Sequence, residues 1–124
     1  MKRIYTFGHE QVERNITVGD IIQNKNNNKK MTQVTAANQE EAEIIAKENI
    51  DMIITGSDWY EDVRKGAPNT FITAALFAGR FITNEEILRG AFEVMMAGAD
   101  SVLTPRSFDV VEMLAKEGLS LIHI

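Results

Sequence analysis

The chain has 124 residues, 44% of them apolar and 25% charged, with no cysteine and a formal net charge of −5. This suffices for one domain and one core, since a chain of this size buries roughly two thirds of its unfolded surface. The composition excludes a disulfide scaffold, thiolate zinc sites and a cysteine nucleophile, and it lacks the clustered Lys and Arg of a nucleic-acid binder.

No apolar run approaches the roughly 18 residues that span a bilayer. No signal-peptide core follows the basic start at Lys2 and Arg3. A cytoplasmic protein, with no nucleic acid and no membrane among its partners, is therefore expected.

Residues 1–15 have no clear period. Thr17 is placed to cap a short helix over 16–23, and Asn24-Lys25-Asn26-Asn27-Asn28-Lys29-Lys30 reads as an exposed polar loop. Residues 1–30 thus form an N-terminal arm, short helix and polar loop, and 31–124 form the main domain.

Within 31–124 one grammar recurs: a helix ends, Gly or Asn follows, and an apolar strand begins. It appears in Lys47-Glu48-Asn49-Ile50-Asp51-Met52-Ile53-Ile54-Thr55, in Met96-Ala97-Gly98-Ala99-Asp100-Ser101-Val102-Leu103-Thr104, and in Lys116-Glu117-Gly118-Leu119-Ser120-Leu121-Ile122. A looser copy runs over 64–73. Gly and Asn tolerate the left-handed conformation that closes a helix.

Helical stripes lie between the strands: Ala42, Ile45 and Ala46; Ile87, Leu88, Ala91, Phe92, Met95 and Met96; Phe108, Val111, Leu114 and Ala115. Asn38 with Glu41, and Thr83 with Glu86, are capping-box patterns. The strands are short and apolar at successive positions, as suits parallel strands covered on both faces. The order is βαβαβαβαβ, which fits either an open doubly wound sheet or part of a closed barrel. Length alone favours the open sheet, because a complete barrel takes about 250 residues.

In both architectures ligands meet the carboxyl ends of the strands. There the chain has Thr35, Thr55, Thr73 and Thr104, whose hydroxyls would share one rim, although Thr is also a common strand residue. Arg106 and Ser107 open the last helix, where an anion such as a carboxylate could dock or where Ser107 simply caps. Ser57 and Asp58 follow the second strand; Asp58 is a weak candidate for a metal ligand and, with Glu61, an equally good helix cap. Trp59 and Tyr60 either cover a ligand or pack locally. Arg80 is an anion contact or a surface charge, and His9 and His123 lack an evident acid–base partner. Dinucleotide, phosphate-loop and zinc-protease motifs are absent.

Taken in order, Ile16-Thr17-Val18-Gly19-Asp20-Ile21, Asp51-Met52-Ile53-Ile54-Thr55-Gly56-Ser57, Arg64-Lys65-Gly66-Ala67-Pro68-Asn69 and Ala97-Gly98-Ala99-Asp100-Ser101-Val102 resemble the ketopantoate hydroxymethyltransferase family of the phosphoenolpyruvate mutase and isocitrate lyase superfamily. The resemblance covers residues 16–119. It implies the N-terminal half of a (β/α)8 TIM barrel, with the chain stopping inside it. It also implies the family's chemistry: magnesium-assisted enolisation of 3-methyl-2-oxobutanoate and transfer of a one-carbon unit from methylenetetrahydrofolate, in pantothenate biosynthesis.

The chain departs from that pattern at the metal site. Gly56-Ser57-Asp58 replaces the family's Gly-Asp-Ser, Ala75 stands at an acid position, and Leu103 and Pro105 stand where a lysine and a glutamate are expected. The usual metal ligands are thus not present. The expectation, which rests on the order of the motifs and on no single one, is a divergent, truncated relative that is inactive as it stands and holds a small-molecule carboxylate or keto acid through Thr35, Ser57, Asp58, Thr104, Arg106 and Ser107; the alternative is a non-catalytic small-molecule or protein-binding α/β domain with an open sheet. Unpaired strand edges would favour self-association.

Overall fold

The structure, a computed structural model, describes residues 1–77, 81–104, 108–118 and 121–123. The N-terminal arm is an antiparallel hairpin, β1 (Lys2–Tyr5) and β2 (Gln11–Arg14), with Ile4 opposite Val12. Its turn places His9 at φ 65°. Helix α1 (Val18–Asn26) follows, capped by Thr17 in a full box with Asp20. The Lys2 ammonium, with the Thr17 backbone N–H, holds the Asp20 carboxyl below its usual range. The helix runs through Asn24, Lys25 and Asn26, so the polar loop begins later than the sequence suggested. Asn residues are poor but tolerated helix formers, and Asn28 takes the left-handed turn at φ 57°.

The remainder is a five-stranded, wholly parallel sheet: β3 (Gln33–Thr35), β4 (Met52–Gly56), β5 (Phe71–Ala75), β6 (Ser101–Thr104) and β7 (Leu121–His123). Between them lie α2 (Gln39–Lys47), a 3₁₀ turn (Ser57–Trp59) leading into α3 (Tyr60–Gly66), α4 (Asn84–Met96) and α5 (Phe108–Lys116). The spatial order is β3-β4-β5-β6-β7, the order of the chain. A doubly wound sheet reverses its order at a switch point; none occurs among the described strands.

Side chains alternate across a strand, so register sorts them into two faces. Ile53, Ile72, Ala74 and Val102 lie on one face and form a single core with Ala42 of α2, Tyr60 and Val63 of α3, Ile87, Ala91 and Val94 of α4, and Leu114 of α5. All four helices therefore pack on the same side. The opposite face carries Ile54, Gly56, Phe71, Thr73, Ala75, Ser101 and Leu103, and β5 and β6 are buried at every position.

The helix stripes hold in part. Ile87, Ala91 and Met95 are buried, Leu88 packs against the core, and Met96 and Ala46 are exposed. Of the turn residues, Gly98 and Gly118 have positive φ, 112° and 79°, whereas Asn49 does not. Gly66 ends α3 for a different reason: a Cβ there would lie 2.2 Å from the Gln39 carbonyl oxygen and 2.8 Å from Ala42 Cβ, so its lack of a side chain lets α2 and α3 touch. No helix among the described residues is long and apolar enough to cross a membrane.

Candidate functional site

The two ends of the sheet differ in chemistry. At the amino ends, Asp100 stands just before β6 with its carboxylate 5% exposed. Arg14 Nε donates to both of its oxygens at 2.9 and 3.0 Å, Arg64 Nη2 donates at 2.9 Å, and the Ile72 backbone N–H donates at 2.9 Å. The remaining guanidinium donors reach backbone carbonyls: Arg14 those of Glu13, Pro68 and Gly98, Arg64 those of Ala67, Thr70 and Gly98. Arg64 Nε also donates to the Tyr60 hydroxyl at 2.9 Å. Burial raises the Tyr60 phenol above its usual 10.0, against the opposing pull of Arg64.

Asn15 completes this end, its amide donating to the Asp51 carbonyl at 2.8 Å and its oxygen accepting from the Phe71 N–H at 2.9 Å. Each buried charge is thus paired and each guanidinium nitrogen has an acceptor, as stable burial requires. This cluster ties the hairpin to the sheet.

The carboxyl ends hold the residues singled out from sequence, and register separates them. Thr35 and Thr73 are level with Ile54 on the face away from the helices, while Thr55 pairs with Ala74 on the helix face. Thr104, one position beyond Leu103, alternates to the helix side and is buried. The four threonines therefore do not form one hydroxyl rim, because a one-residue offset moves a side chain to the other face. Thr35 is exposed, and the Thr55 and Thr73 hydroxyls are buried with no hydrogen-bond partner among the described residues.

Ser57 and Asp58 lie in the 3₁₀ turn and border a cleft of about 220 Å³ between α3 and α4, with Glu61, Glu93 and Phe81 on its walls. Asp58 does not cap α3, whose N-cap position is Trp59 with no side-chain cap bond. Three carboxylates on one small cleft oppose an anion there. Tyr60 is buried in the core, so it packs rather than covers a ligand; Trp59, its neighbour, is 47% exposed. Arg106, Ser107, Pro105 and Arg80 lie outside the described residues, as do Ile124 and the side chain of His123.

A magnesium site needs several hard oxygen donors converging on one point. Among the described residues, no group of three His, Cys, Asp or Glu side chains is disposed to hold a metal. Asp58 is the displaced family acid, and Ala75, paired with Gly56 at the strand exits, offers no side-chain donor where the family has an acid. The described residues thus do not fit the metal that the family resemblance implies. Nothing in them identifies a site for methylenetetrahydrofolate.

Sequence reasoning missed the Arg14, Arg64 and Asp100 cluster altogether. Compared with known proteins, the chain matches no family model, and no curated protein is significantly similar to it.

Proposed function

We propose that this is a cytoplasmic protein related to the ketopantoate hydroxymethyltransferase family, in which β3 to β7 correspond to the N-terminal half of a (β/α)8 barrel. In this reading it binds a small carboxylate or α-keto acid at the carboxyl ends of those strands. The observation that carries it is the unbroken parallel order β3-β4-β5-β6-β7 with α2 to α5 on one face, the arrangement that a barrel wall requires. In barrel enzymes generally, ligands meet the carboxyl ends of the strands.

The acidic cleft beside α3 and α4 directs an anion to the other face, where Thr35 and the backbone of Gly56 lie. Arg106, in sequence just before α5, supplies the positive charge in this reading. Hydroxymethyl transfer is the family's chemistry. With no fitting magnesium donors among the described residues, the function proposed for this chain is binding without transfer.

A titration of the ¹⁵N-labelled protein with 3-methyl-2-oxobutanoate tests this. Amide shifts should cluster at Thr35 and Gly56, and Arg106→Ala should weaken binding about tenfold, the value of a charge-assisted hydrogen bond. Shifts confined to the hairpin end, or unchanged affinity in Arg106→Ala, would refute it. Magnesium-dependent deuterium exchange at C3 of the keto acid would instead restore the catalytic reading. Among the described residues the outer edges of β3 and β7 have no strand neighbour, so copies should associate edge to edge; a mass that does not rise with concentration in sedimentation would exclude this.

A further inference from the structure

We infer that α1 of one copy packs on α2 of a second copy, so that two exposed apolar stripes with opposite flanking charge meet across the interface. The contact is independent of the carboxylate site and of the strand edges.

Helix α1 buries none of its nine residues, and a helix of that length is marginal in water without packing. Val18 and Ile22, one turn apart on one stripe, are 41% and 56% exposed. Lys25 continues the stripe, Lys29 and Lys30 follow the helix, and all three are exposed. Asp20, the one acid of α1, is paired with Lys2. Beside Val18 opens a cavity of about 290 Å³, bordered by Ile4, Tyr5, Phe7 and Ile16, with room for an aliphatic side chain.

The outer face of α2 is the complement. Ile44 is 64% exposed, and exposed Glu40, Glu41 and Glu48 lie one turn to either side of it, against one cation on the helix, Lys47. Acid flanks Ile44 at both ends, so Lys25 meets a carboxylate whichever way the two helices run. The charge of the whole chain separates in the same sense. Residues 1–30 hold six Lys and Arg against three Asp and Glu, whereas 31–124 hold seven against fifteen. An anionic bilayer would attract the first part and repel the second; a second copy offers each part its opposite.

Sedimentation of the full chain tests this. Mass should rise with concentration, and raising NaCl from about 50 to about 500 mM should weaken association about fivefold, as for a few exposed ion pairs. Ile22→Ser and Ile44→Ser, both at exposed positions, should keep the native melting temperature and each weaken association about tenfold, from the lost burial of one Ile. Lys25→Glu, which leaves the apolar stripe in place, should weaken it at least as much as salt does. An equimolar mixture of Ile22→Ser and Ile44→Ser should recover association, because intact α1 on one meets intact α2 on the other. Native protein that stays monomeric, undiminished association in the variants, or a mixture no better than either variant alone overturns the contact. Undiminished association that also ignores salt assigns the assembly to the strand edges instead. Binding to phosphatidylserine vesicles that Ile22→Ser abolishes and Ile44→Ser leaves intact, with no association between copies, assigns α1 to a membrane and likewise overturns it.

Discussion

At the scale of single residues, a buried hydroxyl without a partner costs the free energy of its lost hydration. Among the described residues, Thr55 and Thr73 both carry one. Replacing either by Val keeps the shape and removes the unpaired oxygen, so Thr55→Val and Thr73→Val should each raise stability by about 1 kcal/mol in urea unfolding; a loss of that size would mean that the hydroxyl has a partner in solution.

Tyr60 supplies a pH dependence. Burial raises its folded-state pKa above 10.0, so the folded state holds the proton more tightly than the unfolded chain. That contribution is whole below pH 10 and is lost as pH climbs through the raised value. The melting temperature should fall above pH 10, and less steeply in Tyr60→Phe; equal slopes would contradict it. The threonine rim failed at this same scale, since composition shows that a strand contains Thr but only register shows which face receives it.

At the scale of elements, local signals were legible and distant ones were not. Thr83 accepts from the Glu86 N–H while the Glu86 carboxylate accepts from Thr83, and Asn38 accepts from the Glu41 N–H. Such caps lie within three residues and can be read from spacing. The βα order was legible for the same reason. The hairpin was not: its turn uses His9 at positive φ instead of an Asn-Gly pair, and its two strands are only four residues each.

Gly66 looked like a helix stop but serves helix contact. Gly66→Ala would drive a methyl into the Gln39 carbonyl, a backbone atom that cannot turn aside. It should cost about 1–3 kcal/mol, the range for overpacking, and loosen α2 before the sheet in hydrogen exchange. Neutrality would show that α2 and α3 can separate freely.

At the scale of the whole molecule, one carboxylate joins three parts. Asp100 is bonded to the hairpin through Arg14, to α3 through Arg64 and to β5 through the Ile72 N–H. Nothing in the local sequence marks this, because the partners are 86, 36 and 28 positions away. Asp100→Ala leaves two guanidiniums facing a buried gap and should cost about 3–5 kcal/mol, a large share of a domain's stability; a loss below 1 kcal/mol in urea unfolding would show that water replaces the carboxylate easily.

The separation of Arg14 from Asp100 also sets a timetable for synthesis. At typical ribosomal speeds the second residue is added roughly 4–17 s after the first. Throughout that interval the nascent hairpin has its arginine but no acid to dock on, so a segment made well before its partner is among the last to be secured.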